Sequence, residues 1–331
     1  MSALAILLVH IGTPPPKILE SNFKWIKSKH PGIRLLLASD QPKERFPYAT
    51  ELEFVNLNSV GQSWKSIDST PHSLNFRGGY WLHTARRLGV IADVHNEFPQ
   101  FSLLHIENDM LLLDDFPFVN FSSLKKIAWL RCCKESDMPG LIYSPNKETS
   151  KWLLRNTVAS FREHPQFTDM VVLRDIAIRN PLDVDYLFGG SPSSSDEITW
   201  TDDDLTWILD PLPFGAYLAG SDPRNDWGFS RRLRDYPPSA LGRPSEFRFT
   251  YSPDRGLLAE HLQLGKKYRI ANLHVHSKDL KLFDVDAHEN YLGRLVRFTQ
   301  MGFPSIVFYF AGWFGALTQL IEAVRAKLLR F

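Results

Sequence analysis

Apolar residues run without interruption from Ala3 to Ile11, and that continuity predicts a strand covered on both faces. Gly12-Thr13-Pro14-Pro15-Pro16 breaks the run. From Ile18 to Lys29 the pattern changes: Ile18, Phe23, Trp25 and Ile26 are spaced among polar residues, as one face of an amphipathic helix requires, and His30-Pro31-Gly32 stops it. A second apolar run, Ile33 to Ala38, ends at Ser39-Asp40. Glu51 to Leu57 alternates through Leu52, Phe54, Val55 and Leu57 and predicts a third strand. Tyr80 to Val94 has helical spacing and carries Arg86 and Arg87; Phe101 to Ile106 is a short strand ending in Glu107-Asn108-Asp109. Strand, helix, strand, then strand, helix, strand predicts an α/β fold with a Rossmann-type central sheet and helices on both faces. Ser191 to Asp204 and Tyr236 to Pro244 are polar and read as surface loops, with no internal repeat and no long linker.

Composition narrows the classes. The chain has 331 residues, 44% hydrophobic and 23% charged, which excludes a disordered chain, a collagen and a disulfide-stapled miniprotein. Lys+Arg 38 against Asp+Glu 37 leaves a net charge of +1, so nothing supports a general nucleic-acid binder. Cys132 and Cys133 are adjacent, a spacing that strains a bridge, and are expected as free thiols in a reducing compartment. The apolar start lacks a basic segment and reads as a first strand, not a signal peptide, so the expected location is cytoplasmic. Nine Trp would suit a sugar site, but such rings fill cores more often.

Three segments could carry chemistry. In Glu107-Asn108-Asp109, two acids spaced i, i+2 at a strand end project the same way and could hold a hard divalent cation, Mn²⁺ or Mg²⁺. The apolar runs on both sides place them at the edge of the core; the plain alternative is a turn or helix cap. In Asn272-Leu273-His274-Val275-His276-Ser277-Lys278, a strand would put His274, His276 and Lys278 on one face, suited to a metal and an anion, or simply to hydrogen-bonded histidines beside a surface lysine. Asp210 lies between Trp207-Ile208-Leu209 and Pro211, ahead of Phe214-Gly215-Ala216-Tyr217 and of Asp222-Pro223-Arg224-Asn225. It reads either as a helix N-cap with Pro211 at the first helical position or as a carboxylate facing a cleft.

Taken together, these residues resemble a GT-A-type glycosyltransferase. The likeness rests on an N-terminal nucleotide-binding half ending in a DxD-like triplet (Glu107 to Asp109), an acidic acceptor-side segment (Asp210 to Asn225) and a C-terminal histidine within His274 to Lys278. The turn at Gly12-Thr13-Pro14 and Asp40 after the second strand resemble the family's nucleotide pocket. The resemblance spans residues 1 to 285, taken as the catalytic domain. It departs from the family in having Glu as the first acid and in lacking a Lys-Pro-Trp sequence after the histidines, and no subfamily is assigned. It implies metal-dependent transfer of a sugar from a nucleotide-diphosphate donor to a glycan or lipid-linked acceptor. Glu107 and Asp109, with His276 or His274, would be metal ligands. Lys278 would meet the diphosphate and Asp40 the nucleoside, and Asp210 would be the acceptor-side base if configuration is inverted. The alternatives are a nucleotidyltransferase on a similar sheet, for which Gly12-Thr13-Pro14-Pro15-Pro16-Lys17 is a poor phosphate loop, and a non-catalytic carbohydrate-binding protein.

Residues 286 to 331 are read as a helical tail. Phe298 to Ile321 carries no charge and is flanked by Arg297, Arg325, Lys327 and Arg330. A buried core helix with a basic end is the reading adopted; peripheral contact with the inner face of a membrane is the alternative.

Overall fold

The opening apolar run forms β1 (Ala3–His10). Pro16 sits extended at the entrance to α1 (Lys17–Lys29), whose Ile18, Phe23, Trp25 and Ile26 are buried, as their spacing predicts. β2 (Arg34–Ser39) lies parallel to β1. The alternating segment from Glu51 shortens to β3 (Phe54–Asn56): Leu52 is 73% exposed, and Thr50 donates its N–H to the Glu53 carboxylate in a turn. α2 (Tyr80–Glu97) then leads into β4 (Phe101–Ile106), parallel to β1 on its other side. The computed structural model describes residues 3–12, 14–67, 79–133, 135–189, 197–202, 205–220, 222 and 243–300. Most of the Tyr236-to-Pro244 loop, Pro223-Arg224-Asn225 and the tail after Gln300 therefore lie outside the described residues.

Past β4 the chain adds β5 (Met110–Leu112), α3 (Phe118–Phe121), β6 (Ile127–Arg131), β7 (Asp137–Ser144), α4 (Lys147–Glu163), α5 (Asp169–Arg179) and β8 (Val184–Leu187). α4 begins at a capping box between Asn146 and Thr149. The segment expected as a loop from Ser191 holds two short strands, β9 (Glu197–Ile198) and β10 (Thr201–Asp202). Glu197 is buried where β9 pairs with β8, which is why a polar-looking stretch takes part in the sheet. The large sheet runs β3-β2-β1-β4-β7-β6-β8-β9, and β7 alone among these strands runs antiparallel to its neighbours.

The fold is thus a mixed α/β architecture on a mostly parallel central sheet, with helices on both faces. Alternate residues of β1 show it directly. Ile6 and Leu8 join one core with Leu19, Phe23 and Trp25 of α1. Ala5, Leu7 and Val9 join another with Ala85 and Leu88 of α2, Leu153 of α4 and Val172 of α5.

The first of these cores also receives a smaller sheet of β11 (Leu205–Leu209), β12 (Phe247–Ser252), β13 (Gly256–His261) and β14 (Lys267–His274), ordered β10-β11-β14-β13-β12 with β5 paired to β14. α6 (Pro213–Ala219) packs on β14. α7 (His288–Gln300), the first part of the segment read as a tail, contributes Leu292, Leu295 and Val296 to the same core, and Gln300 donates to the Phe249 carbonyl at 2.7 Å. Among the described residues, no helix is long and apolar enough to cross a membrane.

Candidate metal centre

Between β4 and β5 the chain leaves the large sheet and enters the small one, and Glu107-Asn108-Asp109 sits at that crossing. The backbone there is held from three sides. Asn22 of α1 donates to the carbonyls of Asn108 (3.1 Å) and Met110 (3.0 Å). Glu107 donates its N–H to Gly140 of β7, and Val275 donates to the Asp109 carbonyl, each at 2.9 Å. The antiparallel register of β5 on β14 sets His274 opposite Met110, so a histidine 165 positions after Asp109 arrives beside it.

One ligating atom each from Glu107, Asp109 and His274 falls within 4.8 Å of the others. His274 Nε2 is 3.5 Å from Glu107 Oε2 and 3.4 Å from Asp109 Oδ2. His274 Nδ1 lies 3.0 Å from the Pro211 carbonyl, which can only accept, so Nδ1 carries a proton and Nε2 is the ring nitrogen turned toward the carboxylates. Adjacent ligands on a six-coordinate ion with bonds of about 2.1 Å are about 3 Å apart, so these separations and this oxygen-and-nitrogen donor set fit a first-row divalent ion.

The surrounding charges keep Glu107 ionised. Arg87 of α2 pairs with Glu107 at 2.6 Å and with Asp169 of α5 at 3.5 Å, and Lys278 donates to Asp109 Oδ2. Burial pushes the Glu107 carboxyl up, but Arg87, then His274 and Lys278, outweigh it and bring it down to about 2. Burial lowers Lys278 to about 8 against the opposing pull of Glu107. Arg87 and Asp169 carried no signal in the sequence as members of this site: Arg87 stood out only as a helix residue, and Asp169 lies 62 positions past Glu107.

His276 does not join Glu107 and Asp109 in that cluster. β14 ends at His274, so strand alternation no longer places His276 on its face, and His276 Nδ1 instead accepts the Asp222 N–H at 3.0 Å. Asp210, expected as an acceptor-side base or a helix cap, is placed as a cap. It is fully buried, and its carboxylate accepts the N–H groups of Leu212 (3.1 Å), Phe214 (3.0 Å), Gly215 (2.7 Å) and His274 (3.2 Å). No face of that carboxylate is left for an acceptor hydroxyl. Pro213, not Pro211, is the first residue of α6, and Asp210 caps the helix from two residues before its N-cap. Burial raises the Asp210 carboxyl against the pull of those N–H donors.

Asn272, unmarked in the sequence, completes the support: its side-chain amide donates to the Asp210 carbonyl (2.9 Å) and accepts the Asp210 N–H (3.1 Å), bridging β14 and β11 where their register shifts. Asp40 follows β2, on the same sheet edge but two strands from the acids, about 10 Å away by strand spacing. Its carboxylate accepts the Gly12 N–H at 3.0 and 3.2 Å, tying the ends of β1 and β2 together. Gly12 has φ +88°, and a Cβ there would lie 2.3 Å from the His83 ring, so glycine is required on two counts.

No protein-family model matches the chain, and no curated protein matches it in sequence. Its similar solved structures include several glycosyltransferases and the CTP:phosphocholine cytidylyltransferase LicC of Streptococcus pneumoniae, the latter 15% identical over 56% of this chain and 91% of that one, with a TM-score of 0.30. The galactosyltransferase LgtC in complex with donor and acceptor sugar analogues is 12% identical over 88% of this chain and 95% of that one, with a TM-score of 0.44. The glycosyltransferase GlyE of Streptococcus pneumoniae TIGR4 is 13% identical over 56% of this chain, which spans only 45% of that one, with a TM-score of 0.40. A glycosyltransferase involved in glycosylation of the major capsid of PBCV-1 is 14% identical over 56% of this chain and 81% of that one, with a TM-score of 0.35. At such scores these likenesses describe what the chain is similar to and carry no weight for its chemistry.

Proposed function

We propose that the protein is a metal-dependent glycosyltransferase that takes a nucleotide-diphosphate sugar as donor and a glycan or lipid-linked sugar as acceptor. The observation that carries this reading is the cluster of Glu107, Asp109 and the Nε2 atom of His274 at the strand ends of an α/β sheet, where such folds gather their ligands. Glu107, Asp109 and His274 would hold Mn²⁺ or Mg²⁺, and the ion would supply neutralisation of the leaving diphosphate. Arg87 keeps Glu107 ionised and takes one of its oxygens, turning the other toward His274. The Pro211 carbonyl orients the His274 ring. Lys278 is the cation that would meet the diphosphate, and Asp40 lies where the nucleoside half of the donor would reach the ends of β1 and β2. Asp210 has no part in proton transfer; it sets the backbone of His274.

Calorimetry with Mn²⁺ and a panel of nucleotide sugars tests the reading. Asp109→Ala is expected to abolish metal-dependent donor binding while the fold is kept. Unchanged donor affinity in the variant would sink the assignment. The released product separates the alternatives: a nucleoside diphosphate marks sugar transfer, pyrophosphate a nucleotidyltransferase, and binding without turnover a carbohydrate-binding protein.

A further inference from the structure

We propose that Lys278 is a counterion switch for the metal centre: its ammonium occupies Asp109 until a divalent cation displaces it toward the incoming diphosphate. This rests on the metal reading above and adds regulation of that site. The atom concerned is Asp109 Oδ2, which accepts from Lys278 Nζ and is also the oxygen 3.4 Å from His274 Nε2. The same oxygen therefore faces both the ammonium and the would-be ligand set. A dication and an ammonium compete for it, because two like charges a few ångströms apart repel in a partly buried site. The ammonium, on the flexible stem, is the one that can move.

The backbone is built to bring the ammonium there. Lys278 is the only described non-glycine residue with positive φ, at 60°, in the turn that follows β14, and its N–H donates to the Val275 carbonyl at 2.9 Å. A left-handed conformation at a residue with a side chain is costly and is kept where the surroundings demand it. Here it directs the chain back over Asp109. The turn is tied down by His276, which accepts the Asp222 N–H at 3.0 Å. Glu107 has a separate and permanent partner in Arg87, 2.6 Å away and shared with Asp169, so the two acids differ in kind. The positive partner of Glu107 is held between α2 and α5; that of Asp109 sits at the end of a long stem on a side chain 32% exposed. The displaced cation is then available to an anion arriving with the metal, so metal and diphosphate favour each other beyond their direct contact.

The test uses the full chain and Mn²⁺ alone, with no nucleotide, followed by calorimetry at fixed pH and ionic strength. Lys278→Met is expected to tighten Mn²⁺ binding by on the order of tenfold. Lys281→Met removes the same charge three residues away, from an ammonium that lies over the Tyr291 ring, and is expected to leave Mn²⁺ affinity unchanged. An affinity in Lys278→Met equal to or weaker than the parent's overturns the switch, and so does equal tightening in Lys281→Met. Asp109→Ala separates the two readings. If it leaves Mn²⁺ binding intact, the metal centre itself is wrong; if it abolishes binding while Lys278→Met does not tighten it, the switch alone is wrong. A second readout is acylation of lysines followed by peptide mass spectrometry. Mn²⁺ is expected to raise the labelling rate of Lys278 several-fold with Lys281 unaffected, and an unchanged Lys278 rate overturns the proposal.

Discussion

Four backbone N–H groups converge on the Asp210 carboxylate, and this makes the residue a fastener between the start of α6 and the end of β14. Asp210→Asn replaces one acceptor oxygen by an amide that faces donors, so two of the four bonds are lost. The expected cost is about 2–4 kcal/mol of stability, read as a shift in the urea midpoint. Gly215 is fastened by contact instead: a Cβ there would lie 2.2 Å from the His274 carbonyl oxygen. Gly215→Ala therefore has to push α6 away from β14, and we expect Mn²⁺ affinity to drop roughly tenfold as His274 shifts, measured by calorimetry. The acids of the site were readable because a strand pattern ended at them. The roles of Asp210, Gly215 and Asn272 were not, since the partners of Asp210 and Gly215 include His274, 64 and 59 positions away, and Asn272 reaches back to Asp210.

Between elements, several polar ties run through buried histidines. His95 of α2 donates from Nε2 to the Phe101 carbonyl of β4 and accepts at Nδ1 from Ser150 of α4, each at 2.8 Å. His105 of β4 donates to the carbonyl of Leu7, its partner on β1, at 3.0 Å. Burial lowers both, His105 to about 4, and it lowers His30 and His288 as well. As pH falls below 6.5 the unfolded chain binds these protons first, so stability falls; above 6.5 neither state binds them and the effect vanishes. For His105 alone the loss is about 1.4 kcal/mol at pH 5.5. Asp93, Asp137, Asp169 and Asp210, raised by burial, act in the opposite direction. The measurement is therefore a difference: urea midpoints at pH 7.5 and 5.5 for the parent and His105→Gln, with the variant expected to lose less on acidification. β1, α1, β2, α2 and β4 were legible because each buries a patterned face. β3 was overextended, because Leu52 fits the alternation and yet points into solvent from a turn. β9 was missed, because two residues carry no pattern of their own and pair only through β8.

Across the whole molecule, the metal ligands come from the β4–β5 crossing and from the end of β14, so an ion bound there would link segments 165 residues apart. An ion that binds only the folded state stabilises by about 2.7 kcal/mol at one hundred times its Kd. We expect Mn²⁺ to raise the melting temperature of the parent, chelation to reverse the rise, and Asp109→Ala to show neither, in a thermal melt followed by fluorescence. By itself the sequence determined the α/β class, the opening strand–helix order, the position of Glu107 and Asp109 at a strand end, and the presence of a histidine segment able to meet them. These are local facts, set by apolar periodicity and by residues that break it. The tertiary structure decided that His274 and not His276 faces the acids, because β14 stops there and its register on β5 sets the neighbour. It also decided that Arg87 pairs with Glu107 and that Asp210 is sealed inside, since charge pairing and burial depend on which elements pack together, and no spacing along the chain encodes that.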